Sequence, residues 1–318
     1  MIRYLSVRLL VALFTLFVIS ILVAAGLHLG LSDQAAKITV SNASDVEKAR
    51  LVADLGLEPS FAGQYVAWFK DLLKGNLGYS LASGLPVSLI LFAQLPYTLG
   101  LTLTALVLVF VLALASGYLA ALYPRSWFDR GLSGLFSMLY STPSFLIASF
   151  LIIVLAYQVD LFPIRGARTP GEPFAWSDTL HHAVLPVLAI VLATIGSFFR
   201  IIRAEVVEIL SSDFVRAARA RGLTETSIFF HHILPSAAGP LLSWTGLNFA
   251  TLISGAFVIE YVFAWPGIGA QAISSALMYD YPMLMGIIVI SGVFVVIGSL
   301  LAELLKTLIN PRMRQEHV

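Results

Sequence analysis

Two adjacent histidine pairs, His181-His182 and His231-His232, are the residues in this sequence that most invite a ligand. Imidazole nitrogens bind transition metals, but neighbours on a helix point about 100° apart and do not chelate together. The sequence has no cysteine and no His-Glu-x-x-His, so no metal ligands are assigned and disulfides are excluded. No Ser/His/Asp or paired-carboxylate pattern stands in a setting that suggests catalysis. A Gly-x-x-x-x-Gly-Lys-Ser/Thr phosphate loop is also missing, so the chain is not expected to hold ATP phosphates by that route. The expectation is a protein that is not an enzyme and binds no cofactor of its own.

Acidic and basic residues beside apolar runs have a functional default in a membrane chain. Glu205 and Glu208 are expected to pair with Arg200, Arg203 or Arg216, and Glu303 with Lys306 one turn away. Glu260 either lines a path or anchors the turn at Trp265, Pro266 and Gly267, and the anchor is preferred.

Composition supplies the frame for these residues. Hydrophobic residues make up 58% of the 318 and charged residues 12%, against about 25% charge in soluble domains. Mean hydropathy is +0.90. These values indicate an integral membrane protein, and the net charge of +1 gives no global basic field for nucleic acid. Six runs suit membrane helices, over 6–29, 95–122, 132–157, 182–204, 236–263 and 283–308. Pro96, Pro124, Pro235, Pro282 and Pro311 are read as marking span ends.

Placing both termini in the cytoplasm puts twelve of the 19 basic residues inside: Arg3, Arg8, Arg125, Arg130, Arg200, Arg203, Arg216, Arg219, Arg221, Lys306, Arg312 and Arg314. Arg3 and Arg8 followed by apolar residues and Val23-Ala24-Ala25 resemble a cleavable signal, but the apolar run continues to Leu31, long for a signal core. Residues 30–94 read as an amphipathic outer segment, whose 44–74 portion suits two short surface helices broken at Pro59. Loop 158–181, stiffened by Pro163, Pro170, Gly171 and Pro173, is a candidate docking surface.

One polar stretch interrupts this pattern, RAARARGLTETSIFFHHILP at 216–235. Ser211-Ser212-Asp213 offers an N-cap, and a short helix from Phe214 to about Arg221 would end at Gly222. Thr224 can cap a second helix running toward Leu234. The predicted product is a helix–turn–helix between the fourth and fifth spans, with Ala217 and Ala218 forming a small, flat side. Contact with anionic headgroups and docking to a protein are both open on these residues alone.

The same stretch resembles the EAA loop of bacterial ABC importer permeases. Ala217, Ala218, Gly222, Leu234 and Pro235 fall in register, while Arg216 occupies the Glu position and His232 the Ile position. Both departures resemble the oligopeptide, dipeptide and nickel branch. The resemblance extends along the chain through Gly75-Asn76-Leu77-Gly78-Tyr79-Ser80 with Pro86-Val87, and through Leu95-Pro96-Tyr97-Thr98-Leu99. It continues in Ser141-Thr142-Pro143-Ser144-Phe145, His182-Ala183-Val184-Leu185-Pro186, Val258-Ile259-Glu260, Trp265-Pro266-Gly267-Ile268-Gly269 and Asp280-Tyr281-Pro282.

The resemblance implies an all-α, six-helix type I importer fold in the bacterial inner membrane. It implies residues 1–93 as the first span plus outer segment, 94–309 as the permease domain and 310–318 as a cytoplasmic tail. Implied partners are a second homologous permease, two cytoplasmic ATPases that use ATP and Mg, an extracytoplasmic binding protein and membrane lipid. Arg216, Ala217, Ala218, Arg219, Gly222, Leu223, Leu234 and Pro235 would form the ATPase-coupling loop. Glu260, Trp265, Pro266, Gly267, Gly269, Asp280 and Tyr281 are expected at an outer gate or a binding-protein contact, with residues 264–282 as a re-entrant segment. Peptide is the leading cargo, and nickel or a metal chelate stays open. A gradient-driven transporter or channel is the reading from another class, although no internal repeat or mid-span acid–base set supports it.

Overall fold

The computed structural model describes residues 10, 11, 13–22, 24–26 and 61–309, and among these only the backbone of 64, 247–254, 303 and 306–309. A surface helix before Pro59 and the position of both termini lie outside the described residues, as do Val23 of the Val23-Ala24-Ala25 cleavage signal and the side chains of the expected Glu303–Lys306 pair. Among the described residues the chain is helical and lacks β-strands, apart from one isolated bridge, Tyr79–Pro86. The helices are α1 (Leu13–Gly26), α2 (Phe61–Leu73), α3 (Val87–Leu122), α4 (Trp127–Ser141), α5 (Ser144–Leu151) and α6 (Trp176–Ser211). They continue with α7 (Asp213–Ala220), α8 (Glu225–Ile228), α9 (Leu234–Val262), α10 (Ile268–Leu277) and α11 (Tyr281–Ile309). Three described helices, α3, α6 and α11, are long and apolar enough to cross a membrane, and α4 with α5 supplies a fourth if that bent pair is one span.

Several boundaries differ from the sequence expectation. Helix α3 starts at Val87, so Pro96 lies inside it. The start is fixed one residue after Pro86, where the Val87 N–H bonds to the Gly78 carbonyl at 3.0 Å. A proline inside an apolar helix is tolerated where neighbouring protein packs around it. Residues 132–157 are not one helix, because α4 and α5 meet at a 102° bend. Pro143 forces the preceding Thr142 into extended backbone, φ −85° and ψ 128°, which stops α4. A π-helical turn, Ile152–Gln158, then follows α5 directly.

The chain divides into two compact units. In the unit holding residues 96–270, α6 is the central helix and packs against α4, α5 and α9. Of its most apolar window 67% is buried, against 33% for α3 and 17% for α11, which identifies it as the core element. Small residues permit the close packing. A Cβ on Gly196 would collide with the Phe136 carbonyl, and one on Gly117 would sit 2.7 Å from Ile202 Cγ2.

Arg203 on α6 grips Asp129 on α4 through Nε and through a second bond of 2.6 Å. Asp129 is 3% exposed and also accepts the Arg125 N–H at 2.8 Å, while its own N–H donates to the Ser126 cap at 3.2 Å. Arg203 is thus committed to α4 and Arg216 to Asp213, not to Glu205 or Glu208 as the sequence suggested.

In the other unit, residues 78–86 form a tight turn closed by Ser80 N–H to Leu85 O at 2.9 Å. Asp280, just ahead of α11, caps that helix through the Met283 N–H at 3.3 Å. The same carboxylate accepts Ser80 Oγ at 2.5 Å and the Leu81 N–H at 3.0 Å.

Removing Asp129 leaves a partly buried guanidinium without its partner. Asp129→Ala is expected to destabilise the purified protein by about 3 kcal/mol, and pairing it with Arg203→Leu should recover part of the loss. Thermal unfolding in detergent checks this, and unchanged melting of Asp129→Ala would contradict it.

Candidate coupling hairpin and outer turn

The 211–235 stretch folds from local signals. Ser212 takes the extended backbone of a helix cap, φ −72° and ψ 154°, but its hydroxyl turns back to the Ile209 carbonyl at 2.5 Å and does not cap α7. Asp213 in the first turn of α7 favours the positive end of the helix dipole and pairs with Arg216. At the other end Gly222 N–H bonds to Arg219 O at 2.9 Å and Leu223 N–H to Ala218 O at 3.3 Å, the two bonds of a Schellman stop. Gly222 stands at φ +78°, where a side chain is strained. Among the described residues nothing beyond its chain neighbours lies within 4 Å of a Cβ placed there, so the backbone alone imposes glycine.

Thr224 then caps α8 by accepting the Ser227 N–H at 3.3 Å. Arg219 bridges the turn with two bonds to Glu225, at 2.7 and 3.2 Å. That pairing holds the Glu225 carboxyl below its ordinary value of 4.5 and the Arg219 guanidinium above its own.

The expected second helix is not free-standing. A π-helical turn, Phe229–Ile233, carries α8 into α9, so Pro235 lies near the start of α9 and ends nothing. Ile228 and Ile233 are fully buried, and Phe229 meets the Tyr118 ring on α3 at 4.5 Å between centroids. The two alanines separate, with Ala218 buried beneath α7 and Ala217 exposed. Arg216, Arg219, Gly222, Leu223 and Pro235 share the exposed side's solvent access, Leu234 is half-buried, and Phe214 and Phe230 are exposed at 46% and 57%. The hairpin therefore presents apolar side chains among charges.

The second group gathers around Glu260, which is fully buried at the end of α9. One carboxylate oxygen accepts the Gly269 N–H at 2.8 Å and the Ala270 N–H at 3.3 Å, so it caps α10. Thr98 on α3 assists by accepting the Ile268 N–H at 2.9 Å. Trp265, 3% exposed, donates its indole N–H to the Tyr97 carbonyl at 3.2 Å and meets that ring edge-on. Gly267 is confined, since a Cβ would strike the Glu260 carboxyl and Thr98 Oγ1, and Gly269 lies against Phe257.

Glu260, Trp265, Gly267 and Gly269 thus come together as an anchored turn, whereas Pro266 is exposed. Asp280 belongs instead to the Ser80 turn, and Tyr281 beside it is half-buried. Thr98, Ser80 and Asp129 carry roles that sequence reasoning did not assign. Thr98 and Ser80 stood inside recognisable motifs, but their partners are 170 and 200 residues away.

The histidines are engaged locally. His181 Nε2 lies 3.1 Å from Leu161 O, His182 Nδ1 2.9 Å from Asp178 O, and His231 Nδ1 3.0 Å from Ser227 O. Among the described residues no three metal-binding side chains lie together.

Residues 113–315 match the family model for the binding-protein-dependent transport system inner membrane component. The chain belongs to that family. This permease is 33% identical over 271 residues to the oligopeptide transport system permease protein AppB of Bacillus subtilis, covering 85% of this chain and 86% of the relative. It is 33% identical to a probable peptide ABC transporter permease, y4tP, of Sinorhizobium fredii, covering 98% of this chain and 99% of the relative. It is 31% identical to the glutathione transport system permease protein GsiC of Escherichia coli K12, covering 99% of each chain. Among solved structures, the inward-facing MetNI methionine ABC transporter aligns with a TM-score of 0.57 over 70% of this chain and 96% of that chain. At 17% identity, that likeness shows a shared fold.

The permease yields two checks here. The Glu225 carboxyl is more acidic when folded, so its contribution to hairpin closure is present at neutral pH. That contribution is lost as pH falls below 4.5 through the lowered folded value. Protection factors over 216–230, corrected for the intrinsic exchange rate at each pH, should fall in that window and should lose this pH dependence in Arg219→Gln, whereas equal profiles for both proteins would contradict the strap. Gly267→Ala should loosen α10 and raise exchange at Ile268, Gly269 and Ala270, and unchanged protection would contradict the anchor.

Proposed function

We propose that this chain is a membrane-spanning permease subunit of an ATP-driven peptide importer, forming half of the translocation path. The observation that carries the reading is similarity, over nearly the whole chain, to permeases named for oligopeptide, peptide and glutathione transport. With six spans and both termini cytoplasmic, the 211–235 hairpin lies on the cytoplasmic side and the Glu260 turn on the outer side. Residues 1–93 supply the first span and outer segment, 94–309 the permease domain, and 310–318 a cytoplasmic tail. The setting is the bacterial inner membrane.

Energy comes from two cytoplasmic ATPases that use ATP and Mg, while this chain holds no cofactor. A second, homologous permease completes the path, and an extracytoplasmic binding protein delivers cargo at the outer turn. ATP binding draws the ATPases together, and the hairpin transmits that displacement. Its connections at both ends are stiff enough to do so. Ser212 alone separates α6 from α7, and helical backbone is continuous from α8 into α9. Force applied at Leu223 therefore reaches two long helices without passing through a flexible linker. Arg216, Ala217, Arg219, Gly222, Leu223 and Pro235 meet the ATPase, while Ala218 and Leu234 hold the hairpin in place.

Gly222→Asp is expected to reach the membrane in normal amount and to reduce ATP-dependent peptide uptake to background. Uptake at the wild-type rate by a stably inserted variant would overturn the coupling role.

A further inference from the structure

A cavity of about 380 Å³ opens beside the Glu260 turn, within the unit holding residues 96–270. Two edge-to-face aromatic pairs line it. Tyr97 on α3 and Trp265 from the turn after α9 form one, with centroids 6.0 Å apart and planes at 79°. Phe174 and Trp176, where α6 begins, form the other, at 5.1 Å and 79°. The Tyr97–Trp265 wall is fixed, because the indole N–H is already held by the Tyr97 carbonyl. The hydroxyls of Thr104 and Thr179 add polar edges, and no lining residue carries a charge. Gly100 completes the lining from within α3, and no atom lies within 4 Å of a Cβ placed on it.

We propose that this slot receives an aromatic side chain of the peptide cargo, an inference that rests on the peptide-import reading. The lining decides the chemistry. An uncharged cavity rejects a peptide terminus or an ionised side chain, which would lose hydration without gaining a partner. A flat ring gains edge and face contacts from two aromatic pairs, one of them fixed by the Trp265–Tyr97 bond, the arrangement aromatic groups prefer. The volume falls within the range of small-ligand pockets and has room for an aromatic side chain. The permease thus adds its own selection for aromatic residues to whatever the binding protein selects.

The test uses the complete reconstituted complex and compares ATP-driven uptake of Ala-Phe-Ala and Ala-Ala-Ala, with the same binding protein throughout. Wild type should favour the phenylalanine peptide by roughly tenfold in KM. Gly100→Phe fills the slot and should cut that preference to about twofold, with Ala-Ala-Ala still transported, while Gly100→Ala keeps it. If Gly100→Phe transports neither peptide, photolabelling of wild type by a benzophenone-bearing tripeptide decides: label on Phe174 or Trp176 supports the slot, and label elsewhere overturns it. An undiminished preference in Gly100→Phe also overturns it. So does a lipid acyl chain that is bound by wild type and displaced from the variant while preference is unchanged. Failure of wild type to move either peptide would instead remove the peptide-import reading, and the slot with it.

Discussion

Amide groups at a helix start need acceptors, and a chain packed into lipid has little water to provide them. Two buried carboxylates meet this need at α10 and α11, and a third holds the turn ahead of α4. Asp129 accepts the amide of Arg125 ahead of α4, Glu260 accepts the amides of Gly269 and Ala270 at α10, and Asp280 accepts that of Met283 at α11. Each also reaches beyond its own break. Asp129 holds Arg203 of α6, Asp280 holds the Ser80 turn, and Glu260 closes on a glycine that has no room for a side chain. Acidic residues in this apolar chain therefore fix where helices stop and restart. The Glu260 turn is shaped by one of those stops, whereas the hairpin follows from its own local signals at Gly222 and Thr224.

The sequence was most legible where structure is made by neighbours. Gly222 and Thr224 specify a helix stop and a helix start within three residues, and the observed bonds are those their types imply. The anchor role preferred for Glu260 agrees with its bonds to Gly269 and Ala270. Legibility failed where the deciding partner is remote. Charge spacing alone pointed Arg203 at nearby glutamates, yet the bidentate geometry available at Asp129, 74 residues away, takes it. Pro96 and Pro143 show the same limit from the backbone side. One sits inside a helix and the other bends one by 102°, and apolar composition around each is too uniform to separate the two outcomes.

In the proposed reading, the hairpin and the Glu260 turn divide the work of a transport subunit. The hairpin is stiff, exposed and continuous with long helices, as a lever requires. The Glu260 turn is buried, glycine-dependent and adjoined by an aromatic cavity.

The central claim is that the hairpin is gripped by an ATPase. Because the chain has no cysteine, Leu223→Cys creates a unique thiol at the exposed turn. The decisive measurement is site-specific crosslinking from that thiol in native membranes, with and without ATP. Grip by an ATPase predicts a crosslink to a Walker-motif protein whose yield changes when nucleotide is added. A thiol that labels only lipid, in a chain that still transports, would contradict it.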